Sequence, residues 1–124
     1  MDNEEMSKDE LQAVLTEWAA SPDGFRRWLE SRREKETVGF ACQAGLCPLA
    51  EHLLSVLEQH GISEPFVRVG MYHVFAYSGQ EECGEIPPSA WIKRFIKSID
   101  KDQERGAPLT REFVLDCLDR VCPP

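Results

Sequence analysis

The stretch FVRVGMYHVFAY, residues 66–77, decides the fold class of this chain. Its β-branched and aromatic residues form the strongest strand signal in the sequence. Gly70 interrupts the run, so these residues form either one strand with a bend or bulge, or two strands joined by a tight turn. As a single extended strand, the stretch would place Phe66 and Tyr77 on opposite faces. A second, shorter strand is predicted for residues 37–41, TVGFA.

Five segments outside these strands combine a helix-start signal with apolar residues at helical spacing. The first follows a capping box formed by Ser7 and Glu10. The third spans residues 48–60 and ends at Gly61. In the second helix, the arginines, including Arg26, are expected to form the solvated side. The five helices are predicted to start at or just after Ser7, Ser21, Cys47, Ser89 and Thr110.

These elements predict an α+β fold, with about five helices packed on a small two- to three-stranded sheet. Residues 78–85 are expected to form a polar loop, and residues 101–108 a charged linker. A length of 124 residues fits a single domain, residues 1–124, with one hydrophobic core. Residues 1–6 and 122–124 are expected to fray.

The charge balance restricts the classes of partner. The formal net charge is −8, from 22 acidic and 14 basic side chains, and no basic run with interleaved aromatic residues is present. Nucleic acids and anionic membranes attract basic surfaces, so neither is a predicted partner. The sequence begins with acidic residues and contains no apolar window of about 18 residues, so it predicts neither a secretion signal nor a membrane span.

The cysteine count bears on the compartment. Five cysteines are an odd number, so a complete set of internal disulfides is impossible. Together with the missing export signal, this predicts a cytoplasmic protein with reduced thiols.

Four short motifs follow one another between residues 25 and 99: F-x-x-W-L-E-S from Phe25, V-G from Val38, C-P-L-A from Cys47 and P-x-x-W-x-x-x-F-I from Pro88. In these motifs the chain resembles a set of small uncharacterised bacterial proteins that includes products of mobile integron gene cassettes. The resemblance implies a compact cytosolic domain without an assigned activity. It transfers no catalytic residue to this chain.

Cys47 is the one candidate for catalytic chemistry. It precedes Pro48 at the predicted N-cap of the third helix, where the helix dipole and free amides favour a thiolate. The functional interpretation is a redox-active thiol with Cys42 as its resolving partner. The alternative is a small buried residue at a helix start. The pair is not Cys-x-x-Cys, and His52 lies on a different face of the helix, which favours the alternative.

Four of the cysteines form two equally spaced pairs. Cys42 and Cys47 have the same spacing as Cys117 and Cys122, but zinc requires four converging ligands. Cys117 faces the predicted core, so the pairs do not converge and no metal site is predicted. No cofactor is predicted either, because the chain has no phosphate-binding fingerprint.

Binding residues are predicted on the strand region and the fourth helix: Tyr72, His73, Tyr77 and Trp91. The sequence contains no Ser/His/Asp arrangement or paired carboxylates that would support catalysis. The leading interpretation is therefore a non-enzymatic protein-interaction domain, with a homodimer through a sheet edge or helix face as one form. One alternative is the thiol redox protein. Another is an acidic inhibitor or immunity-type protein whose residues 80–85 and acidic N-terminus bind a basic partner. A small-molecule ligand is left open.

Overall fold

The computed structural model describes residues 7–79 and 81–124. These residues form five helices and two small antiparallel sheets, which confirms the predicted α+β class. The elements are α1 (Lys8–Ala20), α2 (Asp23–Glu30), β1 (Thr37–Phe40), α3 (Pro48–Gln59), β2 (Pro65–Val69), β3 (Val74–Ser78), β4 (Glu81–Ile86), α4 (Ala90–Asp100), β5 (Pro108–Thr110) and α5 (Arg111–Val121). None of the helices in these residues combines the length and apolar composition that crossing a bilayer requires.

The deciding stretch forms a hairpin, β2 and β3, rather than one strand. Gly70 N–H donates to the carbonyl of His73 at 3.0 Å and closes the turn. The strands pair antiparallel, with Phe66 directly opposite Tyr77. Directly paired residues share a face, so the single-strand assignment of these two rings to opposite faces is wrong. The turn between them reverses the chain and brings both rings to one side.

The predicted loop at residues 78–85 is wrong in its second half, because residues 81–86 form β4 and pair with β3. This segment contains three glutamates and one glycine in six residues, and strands disfavour both residue types. Contacts from α1 stabilise it instead. The Gln12 side chain donates to the carbonyl of Glu85 at 2.6 Å and accepts from its amide at 3.2 Å. Gln80, and with it part of the predicted acidic loop, lies outside the described residues, as do residues 1–6.

A second sheet replaces the single sheet that was expected. The charged linker ends in the short strand β5, which pairs antiparallel with β1. The register sets Gly39 opposite Leu109 and contains a bulge between Thr37 and Gly39. This small sheet lies against the beginning of α3, because Gly39 closely approaches Pro48.

The core lies between the helices and the inner face of the three-stranded sheet. That face contributes Val67, Val69, Val74, Ala76 and Ile86, all buried. The predicted apolar stripe of α4 is confirmed, since its buried residues are Trp91, Ile92, Phe95, Ile96 and Ile99. Alternation along β2 and β3 therefore leaves the opposite face of the sheet towards solvent.

Local capping signals predicted the helix starts at Ser7, Cys47, Ser89 and Thr110, but the N-cap of α2 is Pro22 and not Ser21. The capping box of Ser7 and Glu10 is present, and the Thr110 hydroxyl accepts from the Phe113 amide at 3.3 Å. Gly61 follows α3 with a φ of 77°, as a left-handed helix terminus requires. One expectation for α2 is wrong. Arg26 is not solvated, because its guanidinium pairs with Asp119 of α5 and only 13% of its side chain is exposed.

Candidate functional site

The solvent side of the three-stranded sheet carries a continuous row of rings. We call it the aromatic face and define it by Phe66, His73, Phe75 and Tyr77, with Tyr72 at its end. Ring centroids lie 5.6 Å apart for Phe66 and Tyr77, 6.2 Å for Tyr77 and Phe75, and 5.1 Å for Phe75 and His73. Phe66 is 47% exposed and Tyr72 is 83% exposed. Large apolar rings of this kind usually lie inside a domain, so their grouping here indicates a contact surface.

The hairpin register sets which charges border these rings. Arg68 on β2 is paired with Phe75 on β3, and Phe75 is paired with Glu85 on β4. One row across the sheet therefore reads cation, ring, carboxylate. The imidazole Nδ1 of His73 lies 2.5 Å from Oε2 of Glu85, and both side chains are about half exposed. His73, next to the hairpin turn, therefore holds the Glu85 carboxylate in place at the end of this row.

The apolar surface extends past the edge of β2. A Cβ placed on Gly45 would lie 4.0 Å from Cζ of Phe66, so the loop before α3 adjoins this ring. In the same loop, the Leu46 carbonyl accepts from the Phe40 amide at 2.8 Å. Leu46 and Phe40 are 44% and 38% exposed. The loop that carries the exposed Leu46 therefore adjoins Phe66, and the backbone of the exposed Phe40 is hydrogen-bonded to that loop.

The edges of the sheet are less available than its face. The Val69 amide on β2 donates to the carbonyl of Ala44 at 2.8 Å, so the loop before α3 takes up part of that edge. On the other edge, Gln12 bonds both backbone groups of Glu85. Covered edges of this kind prevent strand addition. The face is therefore the better candidate for a contact than an edge.

Of the four predicted binding residues, His73 and Tyr77 lie in the row of rings on either side of Phe75, and Tyr72 is the exposed neighbour of His73 in the hairpin turn. Trp91 lies elsewhere and is 7% exposed, with its indole N–H donating to the Ala19 carbonyl at 2.8 Å. It packs against Trp18 and Phe25 at ring distances of 6.5 Å and 6.3 Å. Its helical stripe already indicated a core residue.

Sequence reasoning missed Phe66 and Phe75 as site residues. The single-strand alternative places Phe66 on the face opposite Tyr77. The useful signal was Gly70, because a hairpin turn at this position puts Phe66, Phe75 and Tyr77 on one face.

Cys47 has the predicted position but not the predicted thiol environment. It is the N-cap of α3 with Pro48 in the first turn, and it is buried. Burial raises the pKa of the Cys47 thiol to about 11, although the amides of Ala50 and Leu49 act to lower it. A thiol with this pKa is almost entirely protonated at neutral pH, and the thiolate is the nucleophile. The environment therefore disfavours redox chemistry at Cys47.

Alkylation of the native protein at pH 7 should modify Cys42 at least about 100-fold faster than Cys47. Cys42 is exposed, whereas Cys47 is buried and holds its proton. The rates are measured by mass spectrometry of the digested protein after timed exposure to iodoacetamide. Unfolding in urea serves as the control, because it should make the two rates similar. Equal rates in the native protein would show that the Cys47 thiol is reactive and would support the redox hypothesis.

The cysteine pairs do not form a metal site in the part of the chain that the structure describes. No group of three or more His, Cys, Asp or Glu side chains converges there. The four cysteines whose side chains are described, Cys42, Cys47, Cys117 and Cys122, are free thiols.

A cleft lies between α1, α2 and α3. It has a volume of about 590 Å³ and contains His52, which is 6% exposed. The indole N–H of Trp18 donates to His52 Nδ1 at 2.9 Å, and the rings of Trp28 and Phe25 lie 5.4 Å and 5.7 Å from the imidazole. Burial, with help from the nearby Arg27 guanidinium, lowers the pKa of His52 to about 4. The histidine is therefore neutral at physiological pH.

Comparison with protein-family models, with curated proteins and with solved structures found no match to this chain. The candidate function therefore depends on the geometry of the aromatic face and of the cleft beside His52.

Proposed function

We propose that this protein is a protein-interaction domain whose aromatic face binds a second copy of the same chain. The observation that supports this most is the row of rings on the solvent side of the sheet, in which Phe75 lies between a cation on β2 and a carboxylate on β4. A cytoplasmic location with reduced thiols is part of the proposal, and the free cysteines agree with it. Kinship with integron cassette products stays a prediction.

Aromatic side chains on a hydrogen-bonded sheet are suited to association. Phe66 and Tyr77 are held by direct cross-strand pairing, so little conformational entropy is lost when a partner covers them. Tyrosine and phenylalanine are enriched at the centres of protein interfaces, where they bury large apolar areas. The net charge of −8 disfavours the other common use of an aromatic sheet, which is stacking on nucleic-acid bases.

The border charges favour a second copy over an unrelated partner. A symmetric dimer places the same patch on both subunits, so that patch must complement itself. Arg68 and Glu85 lie level with each other on opposite sides of Phe75. A two-fold axis that lies in the plane of contact and runs parallel to β3 exchanges the two outer strands. Each Arg68 then faces the Glu85 of the other copy, and the two Phe75 rings lie between the two Arg68–Glu85 pairs.

The two alternatives have less support. A redox role for Cys47 is opposed by the burial of its thiol. An acidic inhibitor remains a prediction, although part of its proposed loop forms β4. If the protein is such an inhibitor, its complex with the basic partner should dissociate at high salt, because salt screens exposed charges.

The self-association can be tested with charge reversals on the aromatic face. The wild type should dimerise with a Kd on the order of 10 µM, measured by sedimentation equilibrium. Arg68→Glu sets two carboxylates opposite each other, and Glu85→Arg sets two cations opposite each other. Each single variant should therefore associate at least about tenfold more weakly. Arg94→Glu is the matched control, since Arg94 is an exposed arginine of α4 and is not part of the three-stranded sheet.

Two further samples make the result specific to the proposed geometry. The double variant R68E/E85R restores opposite charges across the axis and should dimerise again. An equimolar mixture of the two single variants should form a heterodimer, because the charges of one complement those of the other. Monomeric wild type at about 1 mM, or an Arg68→Glu variant that dimerises like the wild type, would overturn the proposal.

A further inference from the structure

The cleft between α1, α2 and α3 is independent of the aromatic face and has the chemistry of a ligand site. Its walls include Val14 and Trp18 of α1 and Val56 of α3, and Phe25 of α2 lies at its base. A volume of about 590 Å³ is in the range of small-molecule sites, which are mostly apolar with a few placed polar groups. The polar groups of this cleft indicate which class of molecule it takes.

The first polar group is the second nitrogen of His52. Because Nδ1 accepts from the Trp18 indole, the neutral ring carries its proton on Nε2. No acceptor for this N–H occurs among residues 7–79 and 81–124. Since Nε2 is not among the buried unpartnered atoms of the described residues, it is accessible from the cleft that His52 lines and can donate to an acceptor atom of a ligand.

The second polar group is Arg27. A Cβ placed on Gly24 would lie 3.8 Å from Cε1 of His52 and 3.9 Å from a terminal guanidinium nitrogen of Arg27. The imidazole edge and the guanidinium therefore border the same space, which is open because residue 24 has no side chain. No carboxylate among the described residues pairs with Arg27, in contrast to the neighbouring Arg26.

The start of α2 adds donors to the same wall. Its N-cap residue, Pro22, provides no side-chain cap, and Ser21 accepts only from the Asp23 amide. The first-turn amides of Gly24 and Phe25 have no partner inside the helix. The Gly24 and Phe25 amides and the Arg27 guanidinium thus provide donors near Gly24, on a wall that Asp23 and Glu17 also line.

Acidic side chains at the same cleft restrict how much negative charge a bound ligand can carry. Glu17 and Asp23 also line it, so a multivalent anion such as phosphate is disfavoured. The charges of Arg27 and Arg32 help to lower the pKa of His52, and the Arg27 guanidinium borders the same space as the imidazole. A ligand with a single carboxylate can bind beside His52 and Arg27, and it brings less negative charge near Glu17 and Asp23 than a multivalent anion does.

We propose that this cleft binds a small monocarboxylate with an apolar body. The carboxylate accepts from Nε2–H of His52 and from the Arg27 guanidinium above Gly24. The apolar body packs against Trp18, Val14 and Val56.

Phenylacetate is a suitable probe, and phenylacetamide is its matched neutral analogue. Titration followed by amide and indole NMR signals should show saturable shifts at the Trp18 indole N–H and at Gly24, with a Kd in the millimolar range, as expected for about 10 heavy atoms. Phenylacetamide and inorganic phosphate should each bind at least about fivefold more weakly. Equal binding of the amide or of phosphate would overturn the proposal.

Two variants test where the carboxylate binds without changing a residue of the hydrophobic core. Arg27→Gln removes the cation, and Gly24→Ala adds a methyl group at ordinary contact distances while favouring the helix. Both should fold and weaken phenylacetate binding at least about fivefold. Arg94→Gln is the surface control and should bind like the wild type. Unchanged binding by folded Arg27→Gln, or no shift at the cleft at about 10 mM phenylacetate, would contradict the proposal.

Discussion

Gly39→Ala is expected to lower the free energy of unfolding by about 3 kcal/mol. A Cβ on Gly39 would lie 2.5 Å from the backbone nitrogen of Pro48 and 2.8 Å from the carbonyl carbon of Cys47. Both distances are far below van der Waals contact, and both atoms belong to backbone. Relief would require moving β1 away from α3 as a unit, because neither has a flexible side chain at this point.

The neighbours of Gly39 cannot move freely. On one side β1 pairs with β5, where Gly39 is opposite Leu109. On the other side the Phe40 amide donates to the Leu46 carbonyl, which ties β1 to the loop before α3. A shift of β1 would break these hydrogen bonds and open the packing around the start of α3. The largest loss of stability among the glycine variants is therefore expected here.

Urea unfolding followed by circular dichroism measures this loss. Gly45→Ala is the matched control, since its nearest neighbour would be the Val67 carbonyl oxygen at 3.6 Å, and it should change stability little. Gly84→Ala should fall between the two, because its Cβ would meet the flexible end of Leu15 at 2.9 Å. Similar midpoints for Gly39→Ala and Gly45→Ala would show that the close approach has no energetic consequence.

Acidification from pH 6.5 to about 4 is expected to remove about 3 kcal/mol of stability through His52 alone. Burial lowers the pKa of His52 in the folded protein to about 4, whereas an unfolded histidine titrates near 6.5. Within this window the unfolded chain binds a proton that the folded chain does not. Stability is therefore full above pH 6.5 and falls as the pH drops towards 4.

The effect is isolated by comparing variants at each pH. His52→Gln keeps an acceptor for Trp18 but loses the ring contacts with Phe25 and Trp28, so it should be less stable than the wild type at pH 7. Because glutamine does not titrate, the stability of this variant should depend less on pH. His60→Gln is the control, because His60 is exposed. Burial also raises the pKa of Asp100, which acts in the opposite direction at low pH. That contribution is shared by all the variants and cancels in the comparison. Parallel profiles for wild type and His52→Gln would contradict the prediction.

The sequence predicted elements whose signals are local. The capping box at Ser7, the cap at Thr110 and the glycine after α3 each act within one helical turn, and each is confirmed. The apolar stripe of α4 is confirmed for the same reason. The strand β4 was missed because its pairing depends on Gln12, which is 73 residues away from Glu85.

The candidate site was predicted in part for a related reason. Tyr72, His73 and Tyr77 lie close in sequence, so they are close in any strand or hairpin. Trp91 was included although its helical stripe indicated the core, and the structure places it there. The cleft residues Trp18, Arg27 and His52 come from three different helices, so no spacing rule could group them.

The sequence by itself determined the α+β class, the five helices and the position of Cys47 at a helix start, because these follow from periodicity and from contacts within a turn. Only the tertiary structure decided what each position can do chemically. Cys47 holds its proton and His52 loses its charge because distant segments bury them. The rings at residues 66–77 form one face because the turn at Gly70 folds the stretch back on itself. Burial and strand pairing join residues far apart in the chain, and local patterns do not encode that proximity.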